Sequence, residues 1–74
     1  MSEITLVDKL ACARRELRLR QQAYPGFVQR KAMMQAFAEF QIACMAAIVE
    51  DYEAALIQEV TTHQGSLFGP YEKQ

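Results

Sequence analysis

The stretch Tyr24-Pro25-Gly26-Phe27-Val28-Gln29-Arg30 (YPGFVQR) predicts a chain reversal, because it holds turn-forming residues between two segments that both have the composition of helices. Proline disfavours helical backbone at the residue before it and has no amide hydrogen to donate. Glycine accepts the positive φ that a chain reversal needs. A turn over residues 24–30 therefore predicts a helical hairpin, with helices over about residues 5–23 and 31–60.

The segment before the turn has a narrow apolar stripe. Leu10, Ala13 and Leu17 recur at spacings of three and four, which is the pattern of an amphipathic helix that packs on one side. Thr5 followed by Asp8 resembles a capping box and predicts where this helix begins.

The segment after the turn has a much broader apolar face. Phe37, Met45, Ile48 and Tyr52 follow helical spacing, and such residues belong to a core or an interface far more often than to a ligand site. With Leu10 and Leu17 they form the predicted core and dimer-interface set. One narrow-striped helix cannot cover this face, so we expect an all-α homodimer in which two antiparallel hairpins form a four-helix bundle.

Charge is unevenly distributed along this 74-residue chain, whose net charge is −1. Residues 1–31 hold seven basic and three acidic residues, a net charge of +4, whereas residues 32–74 carry −5. One reading is a basic helix that packs against an acidic one and sets the register of the hairpin. The alternative is a small nucleic-acid-binding or regulatory protein, in which the basic face of the first helix contacts nucleic acid through Arg14, Arg15, Arg18 and Arg20.

The residues that catalysis or metal binding would need are sparse and scattered. His63 is the single histidine, and Cys12 and Cys44 have neither CxxC nor Cys/His metal spacing. We therefore expect no enzymatic activity, no catalytic residues, no metal and no cofactor, with both thiols free in a reducing cytoplasm. No apolar run approaches the length of about 20 residues that spans a membrane, so no membrane partner is expected.

The helical region resembles a group of small, mostly uncharacterised proteins of temperate phages and prophages of Proteobacteria. The resemblance covers roughly residues 6–55. It is carried by Arg15-Glu16-Leu17, by Tyr24-Pro25 with Val28, and by residues 42–52 (IACMAAIVEDY). The chain departs from the family pattern at Gln41, where a Glu is expected, and near Lys31, where a glycine is expected. The resemblance implies a phage gene product and gives no activity. We expect a phage product of this kind to modulate a host protein, in either replication or a defence or regulatory system of the bacterium.

Residues 61–74 carry no periodic signal and are predicted to form a flexible tail. Within it, Gln64-Gly65-Ser66-Leu67-Phe68 resembles the peptide with which bacterial proteins dock on the DNA polymerase sliding clamp, usually Gln-Leu-Ser/Asp-Leu-Phe. That resemblance implies apolar anchors at Leu67 and Phe68 and hydrogen bonds from Gln64, with Gly65 in place of the usual Leu. The alternatives are that Leu67 and Phe68 fold back onto the second helix, or that they bind another partner.

Overall fold

Two α-helices form an antiparallel hairpin in the computed structural model, which describes the backbone of residues 3–73 and the side chains of residues 3–61. Helix α1 spans Leu6–Gln29 and helix α2 spans Gln35–Lys73. No strand occurs among residues 3–73. The predicted all-α hairpin is therefore confirmed.

Helix α1 begins at the predicted cap. The Asp8 amide donates to the Thr5 hydroxyl over 3.1 Å, and the Thr5 amide donates to the Asp8 carboxylate over 2.9 Å. This reciprocal pair satisfies two amides that a helix start leaves without partners. The hydrogen bond from the Thr5 backbone, reinforced by the Thr5 side chain, holds the pKa of Asp8 below its usual value.

The end predicted for the first helix near residue 23 is wrong, because α1 continues through Pro25 to Gln29. The φ that the proline ring fixes is close to the helical value, so Pro25 removes one hydrogen bond without turning the chain. That bond would have ended on the carbonyl of Gln21, and both residues are exposed, so water can replace it.

The chain instead reverses at Lys31, which has a φ of 64°. The Lys31 amide donates to the Val28 carbonyl over 3.0 Å, and the Ala32 amide donates to the Phe27 carbonyl over 2.8 Å. These two bonds form a Schellman motif with Arg30 as the C-cap and Lys31 in the left-handed position. The turn is therefore residues 30–34 rather than 24–30, and α2 begins at Gln35 rather than near 31.

Helix α2 also extends beyond the end predicted near residue 60, since its backbone is helical to Lys73. The side chains of Gln64, Ser66, Leu67 and Phe68 lie outside the described residues. The interpretation of residues 61–74 as a tail that binds a partner therefore stays a prediction.

The core between the two helices is small. It consists of Leu10 and Ala13 from α1 and of Met45 and Val49 from α2, and its flanks are Leu17, Tyr52 and Leu56. Ala38 is also buried, nearer the turn. With two helices side by side, the hairpin has an extent of 13 Å along its shortest principal axis. It is therefore a single layer, whereas a domain normally needs two packed layers to enclose a core.

Polar contacts between the helices fix the antiparallel register. The Arg14 guanidinium and the Glu53 carboxylate form an ion pair at 2.7 Å, and Arg20 Nη1 donates to the Gln41 carbonyl over 2.9 Å. Arg20 is also held by Glu16 at 3.1 Å, one turn before it on α1. A basic helix thus packs against an acidic one, as the charge distribution indicated.

Two residues predicted for the core or the dimer interface lie on the surface of the hairpin. Phe37 is 52% exposed and Ile48 is 42% exposed, while their neighbours Ala38 and Val49 are buried. One residue along a helix is a rotation of about 100°. Their exposure in a single hairpin agrees with an apolar face too broad for α1 to cover, and their assignment to a dimer interface stays a prediction.

Candidate interaction surfaces

An exposed row of apolar side chains lies along one side of α2. Phe37, Phe40, Cys44 and Ile48 follow one another at spacings of three, four and four, which places them on one side of a helix. Phe37, Phe40 and Ile48 are exposed, and Cys44 is half-buried. We refer to these four residues as the α2 apolar face.

Phe40, Cys44 and Ile48 of this face belong to a segment of α2 in which Gln41 is the one strongly polar side chain. Residues 40–49 (FQIACMAAIV) contain no charged side chain over almost three helical turns. Apolar residues are spread nearly evenly around α2, in contrast to the one-sided pattern of α1. A helix that is hydrophobic all round is normally buried all round, yet α1 covers only the side that carries Met45 and Val49.

Next to the α2 apolar face, an open groove of about 370 Å³ runs between the helices. Ile48 and Tyr52 form its α2 wall, and Cys12 and Ala13 form its α1 wall. Lys9 and Glu16, which have opposite charges, stand at its α1 edge. The groove thus extends the apolar surface from α2 onto α1.

A second groove, of about 360 Å³, lies at the turn end of the hairpin and was not foreseen from the sequence. Tyr24, Pro25 and Val28 line it from α1, and Ala38 and Ile42 line it from α2. Its position depends on α1 continuing past Pro25, because a turn at residue 24 would leave no α1 wall. The helical spacing of Tyr24 and Val28, four residues apart, was the signal that could have indicated it.

The four arginines proposed for nucleic-acid contact have different surroundings. Arg14 is paired with Glu53, and Arg20 is bound to Glu16 and to the backbone of α2. Arg15 Nη2 lies 3.9 Å from the sulfur of Cys12, and Arg18 is exposed. Arg14 and Arg20 are therefore engaged in contacts with α2, which leaves Arg15 and Arg18 as the more available cations of this set.

The two cysteines are both free and lie on different helices. Cys12 is exposed on α1, and Cys44 is half-buried on α2. Cys12 contributes to the groove beside Ile48, and Cys44 belongs to the α2 apolar face itself. Both cysteines therefore lie on the same side of the hairpin.

Within residues 3–61, no three His, Cys, Asp or Glu side chains are grouped closely enough to hold a metal ion. In the part of the chain that the structure describes, neither helix is long and apolar enough to cross a membrane. Comparisons of this chain with protein family models, with curated proteins and with solved structures return no match.

Proposed function

We propose that this chain is a non-enzymatic, phage-type protein-interaction module that binds and modulates a host protein in the bacterial cytoplasm. The observation that carries the proposal is the set of large apolar side chains on the surface of so small a hairpin. Among residues 3–61, nine of them are more than 40% exposed. They are Ile4, Val7, Leu19, Met34, Phe37, Phe40, Ile48, Ile57 and Val60. Three of them, Phe37, Phe40 and Ile48, lie together on the α2 apolar face, and an exposed apolar patch of this kind marks an interaction site or a self-association face.

The first interaction in this proposal is a homodimer that forms a four-helix bundle. A single layer with four buried residues at its centre gives little stability, and a second hairpin supplies the missing layer. Light scattering at micromolar concentration should therefore give a mass of about twice 8.4 kDa. A mass of 8.4 kDa throughout the concentration range would refute the dimer.

The second interaction is with a host partner, and the tail resemblance points to the DNA sliding clamp as the candidate to test. In that reading Leu67 and Phe68 are the apolar anchors, and Gln64 and Ser66 make polar contacts at the rim of the clamp pocket. A small number of buried anchor residues carry most of the binding energy of a short peptide. One double variant that removes both anchors therefore tests whether the tail docks on the clamp.

The test is a titration of purified clamp with the full chain and with its Leu67→Ala/Phe68→Ala variant. Docking predicts that the unmodified chain binds and that the double variant does not, while both retain the same helicity and melting temperature. If the pair instead folds back onto α2, the double variant should melt at a lower temperature and bind a dye that reports apolar surface. An unmodified chain that does not bind the clamp would exclude the clamp and leave another host partner for the tail.

Nucleic-acid binding is the second candidate function, and Arg15 and Arg18 support it because they are exposed on α1. Binding to phosphates releases counterions, so its affinity falls steeply as salt rises. Apolar docking responds little to salt. A titration of duplex DNA between about 50 and 200 mM salt separates the two, since even two or three phosphate contacts produce a loss of roughly tenfold or more over that range.

A further inference from the structure

We infer that the α2 apolar face is the surface through which two copies of this chain meet, antiparallel, with Cys44 at the two-fold axis. This inference rests on the proposed homodimer and adds to it the face, the orientation and the register. The position of Cys44 is the first observation that supports this inference. Cys44 lies at the centre of the charge-free segment 40–49 and within the face formed by Phe37, Phe40 and Ile48.

The second support is the spacing of the face. Its residues recur at intervals of three and four, which is the seam spacing of helices that pack side by side in bundles. Cys44 is a small, half-buried residue between large flanking ones. Small residues at a helix crossing allow the two backbones to approach, while Phe40 and Ile48 pack on either side of the crossing.

The charge distribution of the hairpin favours a second copy as the partner on the α2 apolar face, and it favours the antiparallel orientation. The half of the hairpin at the turn, residues 18–49, holds four basic residues and one acidic residue, a net charge of +3. The other half, residues 3–17 and 50–61, holds three basic and seven acidic residues, a net charge of −4. A second copy that lies antiparallel brings each basic half against an acidic half, whereas a parallel copy brings like charges together.

A two-fold axis at Cys44 gives this complementarity a definite register. Residues at equal distances on either side of Cys44 then face one another, so Phe40 packs near the partner's Ile48. The basic turn that carries Arg30 and Lys31 reaches about the height of the partner's Glu59. Such an isologous interface closes on itself and adds the second layer that the hairpin lacks.

Site-directed disulfide trapping tests the register. A disulfide requires Cα atoms less than about 7 Å apart, which a Cys44 pair at the axis satisfies. Cys12 lies near the height of Ile48 on its own chain, so the two Cys12 residues are displaced by about eight residues, or about 12 Å, along the axis. Under copper phenanthroline, the Cys12→Ser variant should form a covalent dimer and the Cys44→Ser variant should not. Cross-linking through Cys12 alone, or through neither cysteine in a chain that is dimeric by light scattering, would overturn the register.

Matched charge insertions test the face. Phe40 is 64% exposed and Ile57 is 66% exposed in the hairpin, and Ile57 lies about 180° around α2 from Ile48. Phe40→Glu should raise the dissociation constant of the dimer by about 30-fold or more, as the loss of an interface hot spot does. Ile57→Glu should change it less than about threefold. The face is refuted if Phe40→Glu remains as tightly dimeric as the unmodified chain, or if Ile57→Glu dissociates it.

Different results would refute the homodimer and its interface on the α2 apolar face. A monomeric unmodified chain refutes the homodimer and the face together. A dimeric unmodified chain with the wrong response to Phe40→Glu or to cross-linking refutes the face and leaves the homodimer standing. Circular dichroism of each variant at matched concentration shows whether a dissociated hairpin keeps its helices. The difference in dissociation constant between Phe40→Glu and Ile57→Glu tests the face whether or not it does.

Discussion

Replacing Lys31 by glycine should stabilise the hairpin. Lys31 has a φ of 64° and donates its amide to the Val28 carbonyl in the Schellman motif that ends α1. A residue with a Cβ in this left-handed region carries a steric cost of about 1–2 kcal/mol, and glycine does not. Glycine is also freer in the unfolded chain, which takes back roughly 0.4–1 kcal/mol. The net gain should be about 0.5–1 kcal/mol.

The matched control is Lys31→Ala, which removes the same charge and the same long side chain but keeps the Cβ. The glycine variant should melt about 2–8 °C higher than the alanine variant, given the usual dependence of melting temperature on stability for a chain of this size. Thermal unfolding followed by circular dichroism measures the difference, with both variants at the same protomer concentration because self-association shifts the midpoint. Equal midpoints, or a lower one for glycine, would refute the assignment of Lys31 as the left-handed residue of the turn.

Three further predictions concern the core, the cap and the ion pair. Met45→Ala should cost about 2–3 kcal/mol in urea unfolding, since Met45 is buried in the small core, whereas Met34→Ala, at a position 77% exposed, should cost little. Asp8→Asn should lower stability at neutral pH, because a depressed carboxylate pKa stabilises the fold above the ordinary Asp pKa of about 3.9. That contribution disappears as pH falls through the lowered pKa, so the two unfolding curves should converge in acid, and a gap that persists there would contradict the linkage. A double-mutant cycle on Arg14 and Glu53 should give a coupling of about 0.2–1 kcal/mol that declines in 1 M salt, because both side chains are about half exposed.

The sequence by itself determined the class of fold and the beginning of α1. The stripe of Leu10, Ala13 and Leu17 and the box formed by Thr5 and Asp8 are local patterns, and the structure contains both. Such local patterns can be predicted from the sequence because the interactions that produce them join residues within about one turn of helix. The expectation that a basic helix packs against an acidic one agrees with the ion pair between Arg14 and Glu53.

The sequence misplaced the turn because Pro25 and Gly26 are strong turn signals that a helix can still accommodate. The φ fixed by proline suits a helix, and the lost hydrogen bond falls at an exposed position. The actual reversal uses a lysine with positive φ, a conformation that residue identity does not indicate. Only the hydrogen bonds from Lys31 and Ala32 back to α1 reveal it.

The tertiary structure alone decided which side of α2 faces α1. Because residues 40–49 carry no charged side chain, the sequence placed Phe37 and Ile48 in one broad core or dimer-interface set with Met45 and Tyr52. Packing within the hairpin buried Ala38, Met45 and Val49 and left Phe37 and Ile48 exposed. The register contacts from Arg14 and Arg20 to α2 hold that rotation in place. A helix segment with apolar residues all around it does not indicate which of its sides will face another helix. Only the contacts with α1 can set that orientation.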